Sequence, residues 1–238
     1  MNPRRDSTLP ALALVLLGQG ACAQQGAPPA SDSTLPPPGR PVAGIVSTAW
    51  DAEPRRDAAG EADRVFSLLS LEPQTRVADI GAGAGYYTVR LARKLGDKGT
   101  IYAQDISKKV LDSLRVRIAR EKLGGITLVL GKPDDPGLPP GSLDLAILSH
   151  MYHEIARPYD FLFRLQRAFR PGGRVAVIDS DKPTSSHGTP PALLRCEMAA
   201  VGYHELAFHS LEPATGYLAV FGAPDTLPKP GSVTACSQ

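Results

Sequence analysis

From residue 45 to residue 222 the hydrophobic positions change spacing repeatedly, between short continuous or alternating runs and one residue in every three or four. Arg76 to Ile80 is a short β-rich run, after which Tyr87, Leu91 and Leu95 recur at helical spacing. Thr100 to Asp105 reads as a second strand, and Val110, Leu111, Leu114 and Ile118 line a second helix. Ile126 to Leu130 and Leu143 to Leu148 supply two more strands. The helix that follows carries Leu162, Leu165 and Phe169 on one face and stops at Pro171-Gly172-Gly173, before a fifth strand from Arg174 to Asp179. Short strands separated by helices imply right-handed crossovers and an α/β fold with a parallel sheet covered on both faces. Such a sheet takes its ligands beyond the carboxyl ends of its strands, at the switch point beside the first one.

The two ends lack this pattern. Residues 1–23 place Arg4 and Arg5 ahead of an apolar stretch, Leu9 to Leu17, and close on Ala21-Cys22-Ala23. They read as a signal peptide, with cleavage before Gln24 or, alternatively, lipid attachment at Cys22. The protein is therefore expected to be exported, periplasmic or secreted, or else anchored to the envelope by lipid. Residues 24–44 hold six Pro among small and polar residues and read as a disordered linker, and residues 223–238 read as a disordered tail. That leaves 45–222 as the folded domain. The whole chain's 42% hydrophobic content supports one core, and no apolar run is long enough for a stable membrane span. Lys plus Arg total 26 against 24 for Asp plus Glu, too even for a nucleic-acid-binding surface. Cys196 and Cys236 could pair in an oxidising compartment, but the preferred reading is an inert helix cysteine and an unrelated tail cysteine.

The sharpest chemistry follows the first strand. Asp79-Ile80-Gly81-Ala82-Gly83-Ala84-Gly85 turns the chain into a helix, with no Cβ at three positions where a ligand would lie against backbone. Asp105, 24 residues after Gly81, ends the second strand, where a carboxylate can accept both hydroxyl protons of a ribose. A nucleoside ligand is expected from these two features alone.

These residues resemble the class I S-adenosylmethionine-dependent methyltransferases, and the resemblance covers nearly all of residues 57–222. Asp79, Gly81, Gly83 and Gly85 meet the family's acid-and-alternate-glycine pattern. Asp105 matches its second acid, and Arg170 to Arg174 and Pro140 to Asp144 look like its entries into strands five and four. The resemblance implies a Rossmann-like three-layer sandwich: a mostly parallel seven-stranded sheet closed by an antiparallel C-terminal strand, drawn from residues 203–210 and 216–221. It also implies S-adenosyl-L-methionine as cofactor, held by Asp79, Gly81, Ala82, Gly83, Gly85, Tyr87, Asp105, Ile106, Asp134 and Ser149. One departure stands out: where many members place an acid for the adenine amino group, this chain has Lys132, with Asp134 or Asp135 as substitutes. A nicotinamide enzyme fits less well, because the third glycine of its motif would fall on Tyr86.

On the acceptor side, His150 and His153 are the candidate bases, beside Met151, Glu154 and Asp179. The run from His150 to Glu154 matches no zinc motif and has no third ligand nearby, so no metal is expected. Trp50, Tyr86 and Tyr87 could turn ring faces to a sulfonium, although Tyr87 also lies on the apolar stripe of its helix. The expected function is methyl transfer to a small-molecule acceptor, with the oligomeric state open. The alternative is a non-catalytic protein of the same fold that binds a nucleoside cofactor in the envelope, where a cofactor made inside the cell is scarce.

Overall fold

The described residues contain seven strands: β1 (Arg76–Ile80), β2 (Thr100–Asp105), β3 (Ile126–Leu130), β4 (Leu143–Ser149), β5 (Phe169–Asp179), β6 (His204–Ser210) and β7 (Tyr217–Gly222). The computed structural model describes residues 1, 34–45, 53–211 and 216–237, and residues 33–238 form one compact unit. The strands build one sheet in the order β3-β2-β1-β4-β5-β7-β6. The five strands β1 to β5 are parallel, and β7 runs antiparallel to both β5 and β6. This is the mixed, Rossmann-like sheet expected from the sequence. The signal peptide, Cys22 and Trp50 lie outside the described residues.

Among the described residues, six α-helices, α1 (Glu53–Ala58), α2 (Glu61–Leu69), α3 (Tyr86–Leu95), α4 (Lys108–Arg120), α5 (Pro158–Leu165) and α6 (Pro191–Ala200), cover the sheet. Alternate residues of a strand face opposite sides, so each buried strand feeds two cores. Val77, Leu145, Ile147 and Ile178 pack with Phe66 and Leu69 of α2 and Leu91 of α3. Ala78, Ile80, Leu148 and Val177 pack with Leu162 of α5 and Met198 of α6 on the other side.

Three boundaries differ from the sequence expectation. Helix α5 ends at Leu165, and Phe169 already pairs with Leu143 as the start of β5. Because the next pair is Leu145 with Arg174, residues 170–173 bulge out between them.

Residues 34–45 are not a loose linker. Leu35 joins the α5–α6 core, and the Arg40 guanidinium forms a fully buried ion pair with Glu197 of α6 at 2.9 Å. Arg40 also donates to the carbonyls of Tyr152 and His153, both at 3.3 Å. A Pro-rich strap has few N–H groups to satisfy, so it can lie against a helix surface with a single charge as its anchor.

The C-terminal segment does not trail off either. Cys236 forms a disulfide with Cys196 of α6, and its N–H donates to the Tyr159 hydroxyl at 2.7 Å. Gly39 pairs with Ser237, so the two end segments also touch each other. The preference for unpaired cysteines fails because nothing local in the sequence marks a partner 40 residues away.

The disulfide closes a 40-residue separation, for which loop-closure entropy gives about 4 kcal/mol of stabilisation. Urea denaturation of the oxidised protein and of the C196A/C236A double variant should differ by about this amount. Equal midpoints and slopes would rule out the bond.

Candidate functional site

The loop from β1 into α3 is shaped by positive φ at Gly81 (67°), Gly83 (54°) and Gly85 (93°). A Cβ on Gly85 would also run into the Leu114 side chain. The loop is tied down from β2: the Gly81 N–H donates to the Gln104 side chain at 3.3 Å, and the Ala82 N–H to the Gln104 carbonyl at 2.8 Å. The Gly83 N–H donates to Asp105 Oδ2 at 3.1 Å, and the Ser107 N–H to Asp105 Oδ1 at 2.8 Å. These donors are therefore spent on the protein itself. What remains for a ligand is a floor without side chains, and a nearly buried carboxylate with lone pairs to spare. Ile106, 38% exposed, lies next to that carboxylate in the chain.

Asp79 has a different task. Gly85 caps α3 without a side-chain oxygen, and Asp79 supplies one by accepting the Thr88 N–H at 2.8 Å and the Thr88 hydroxyl at 2.6 Å. Burial pushes its carboxyl up to about 6, against these hydrogen bonds, which favour the charged form.

Helix α1 brings a group that the sequence did not single out. Arg56 pairs with the buried Glu61, and it donates to Ser149 Oγ at the end of β4 at 3.0 Å. Its guanidinium lies 3.6 Å from the centre of the Tyr86 ring, and that of Arg90 lies 3.7 Å from the same centre. Two guanidiniums that close cannot share one face, so both faces of Tyr86 are covered.

Beyond β4 and β5 a buried carboxylate gathers two imidazoles. Asp179 accepts from His153 Nδ1 at 3.0 Å, the Thr189 hydroxyl at 2.7 Å and the Ser180 N–H at 2.8 Å. His150 Nδ1 stands 3.9 Å from it. Burial alone would raise the Asp179 carboxyl, but the two imidazoles and the Thr189 hydroxyl outweigh it and hold the carboxyl below its ordinary value. An ionised carboxylate only accepts, so His153 Nδ1 carries the hydrogen of this bond. His150 has φ of 52°, a strained backbone for a side chain of this size.

The glycine loop of β1, Asp105 of β2 and the Asp179 cluster all lie at the carboxyl edge of the sheet. Residues 78–177 match the family described as "Methyltransferase domain". Over these residues the chain is similar to methyltransferase domains. A curated relative, the ubiquinone/menaquinone biosynthesis C-methyltransferase of Azotobacter vinelandii, is 28% identical over 122 residues, 51% of this chain and 48% of that protein. The chain thus spans about half the length of the curated relatives it matches. A SAM-dependent methyltransferase from Aquifex aeolicus has the same fold, with a TM-score of 0.64 at 21% identity over 71% of this chain and 92% of that one. A possible exported protein from Bordetella parapertussis gives a TM-score of 0.56 at 17% identity, over 71% of this chain and 68% of that one.

Within residues 78–177, the structure sets the loop of Gly81, Ala82, Gly83 and Gly85 against Asp105, with Ile106 next in the chain. Asp79 lies behind that loop, held by Thr88. Tyr87 is in the core, where its hydroxyl donates to Glu61 at 2.9 Å. Asp134 is paired with Arg164 of α5, and Asp135 accepts the Gly137 N–H of its own turn at 2.9 Å, so both substitutes for an adenine-binding acid are engaged. Met151 packs against Gly81. Arg56 and His187 were missed. A lone Arg in a charged helix and a His in a Pro- and Ser-rich loop carry no periodic signal.

The folded protein binds the Asp79 proton more tightly than the unfolded chain does. This group's contribution to stability is therefore complete at low pH and declines as pH rises from about 4 to about 6. The change is about 3 kcal/mol, so without ligand the wild type should lose that much more than D79N across the window. Parallel urea-derived stabilities for the two proteins would contradict the assignment.

Proposed function

We propose that the protein is an S-adenosylmethionine-dependent methyltransferase acting on a small-molecule acceptor. The observation that carries this reading is Asp105, turned onto the glycine loop and fixed there by the Gly83 and Ser107 N–H groups. The methyltransferase-domain match supports the same reading. The residues present fit the ribose and the loop-facing part of the cofactor: a carboxylate with free lone pairs lies beside a floor lacking Cβ atoms. The adenine amino group is less well served, since Asp134 is taken by Arg164.

When bound, the sulfonium supplies an electrophilic methyl group. Positioning and exclusion of water are then the chain's main contributions. Asp105 would hold the ribose, and Ile106 would offer an apolar surface to the base. Met151 and the residues beyond β4 would wall the acceptor, with the imidazoles of His150 and His153 set by Asp179 to receive a proton from an acceptor oxygen or nitrogen. No step requires a charged transition-state clamp, because the sulfonium's charge disperses as the methyl group moves and leaves with the acceptor's proton on the imidazole.

Isothermal titration with S-adenosylmethionine and S-adenosylhomocysteine tests the reading. Asp105→Ala should weaken binding about 30-fold or more, and Asp105→Asn, which keeps one acceptor, should fall between. Unchanged affinity in D105A would remove the ribose assignment. The second reading, a non-catalytic cofactor-binding protein, is favoured by Lys132 and by the engaged Asp134. Tight binding without turnover on a broad acceptor panel would select it.

Export forms part of the proposal. The leader-like residues 1–23 and the Cys196–Cys236 disulfide both support an oxidising compartment. Expressed from the full sequence in a bacterium, the protein should fractionate outside the cytoplasm. Its mature N-terminus should be Gln24 or a lipidated Cys22; an intact leader on a cytoplasmic product would exclude export.

A further inference from the structure

Two turns on neighbouring loops bring three ligand-type side chains together. His153 and Glu154 belong to the one-turn 3₁₀ helix Tyr152–Glu154 after β4, and His187 caps the 3₁₀ turn Thr184–Ser186 after β5. One ligand atom from each lies within 4.8 Å of the other two. The His153 ring is fully buried and its Nε2 has no hydrogen-bond partner, and the same holds for the buried Nδ1 of His187. Leaving two imidazole nitrogens unsatisfied is costly unless something fills the space between them.

The surroundings are those of a supported ligand set. Asp179 holds His153 Nδ1 at 3.0 Å, which fixes the ring and turns its Nε2 away from the carboxylate. The two imidazole rings are 5.5 Å apart, edge to face at 82°. The His153 carbonyl accepts from the Ala43 N–H at 3.1 Å, and Thr184 donates to the Pro41 carbonyl at 2.8 Å, so the N-terminal strap ties both turns. His187 itself is in the left-handed region, with φ of 54°.

We propose that His153, Glu154 and His187 form a binding site for a divalent first-row transition-metal ion, with zinc as the best match. Two imidazoles and a carboxylate are a borderline-soft N₂O set, which suits Zn²⁺ or Co²⁺ and disfavours Mg²⁺ or Ca²⁺. Tetrahedral ligand atoms sit about 3.4 Å apart, so the three ligand atoms, now within 4.8 Å of one another, draw closer when an ion binds. Three protein ligands leave a fourth position for water or for an oxygen or sulfur of a small molecule. The site does not depend on methyl transfer. Where both operate, an acceptor atom bound at the open position would lose its proton more easily, and His150 would remain as the imidazole free of metal.

The test is titration of the chelator-treated full-length protein with Co²⁺, followed by its visible d–d absorption, then displacement by Zn²⁺. One ion per chain with a four- or five-coordinate spectrum is expected. His187→Ala and Glu154→Gln should each weaken binding at least about tenfold, and Asp179→Asn by about 10- to 100-fold through loss of ring orientation. His209→Ala, away from the cluster, should leave it unchanged, and circular dichroism on each variant separates lost ligation from lost folding. Absence of stoichiometric binding, or equal affinity in wild type and a folded H187A, would overturn the site. Failure of S-adenosylmethionine to bind would remove the proposed function and leave this result standing.

Discussion

Three buried carboxylates at the carboxyl edge of the parallel sheet decide the shape of everything above it. Asp79, Asp105 and Asp179 each sit at or beside the last residue of a strand, and each accepts from donors in the loop or helix that follows. A buried carboxylate needs several hydrogen bonds to remain tolerable, and backbone N–H groups just past a strand end are the nearest supply. The loops consequently adopt conformations set by the acids. Asp79 caps α3, Asp105 folds the glycine turn against β2, and Asp179 orders the two histidines.

The three acids are not equivalent, and the difference comes from their donors. Asp79 meets only a backbone amide and a hydroxyl, so desolvation wins and its carboxyl rises to about 6. Asp179 is also buried, but with imidazoles as neighbours it is held below the usual carboxylate range. Acids pushed apart in this way divide the labour. One supports the cofactor loop as structure, and the other stays ionised where proton or metal chemistry would take place.

Most of the sheet was legible because buried parallel strands and amphipathic helices leave periodic marks, as in Val77 to Ile80 or Leu111 and Leu114. The glycine turn and Asp105 were legible for another reason: their spacing reflects geometry within a single βαβ unit. Features that depend on distant partners left no such mark. Arg40 looks like any linker cation until Glu197 appears 157 residues later, and Cys236 looks like a tail residue until α6 places Cys196 beside it. Arg56 and His187 were invisible for the same reason. Residues 170–173 misled because Pro and Gly signal a turn but do not say that β5 has already begun.

The end segments meet the fold at neighbouring residues of α6, Cys196 and Glu197, and touch each other through Gly39 and Ser237. A buried ion pair adds little net stability, because desolvation offsets much of the attraction, yet removing one partner strands a charge in the core at a cost of about 3–5 kcal/mol. Arg40 therefore matters less as a source of stability than as a constraint on position. The guanidinium that neutralises Glu197 also grips the Tyr152 and His153 carbonyls, and the strap beyond it grips Thr184. The orientation of His153 is thus set twice, by Asp179 through the ring and by Arg40 through the backbone. A segment that composition marks as a tether fixes one wall of the site, and the disulfide beside Glu197 keeps the other end of the chain against the same helix.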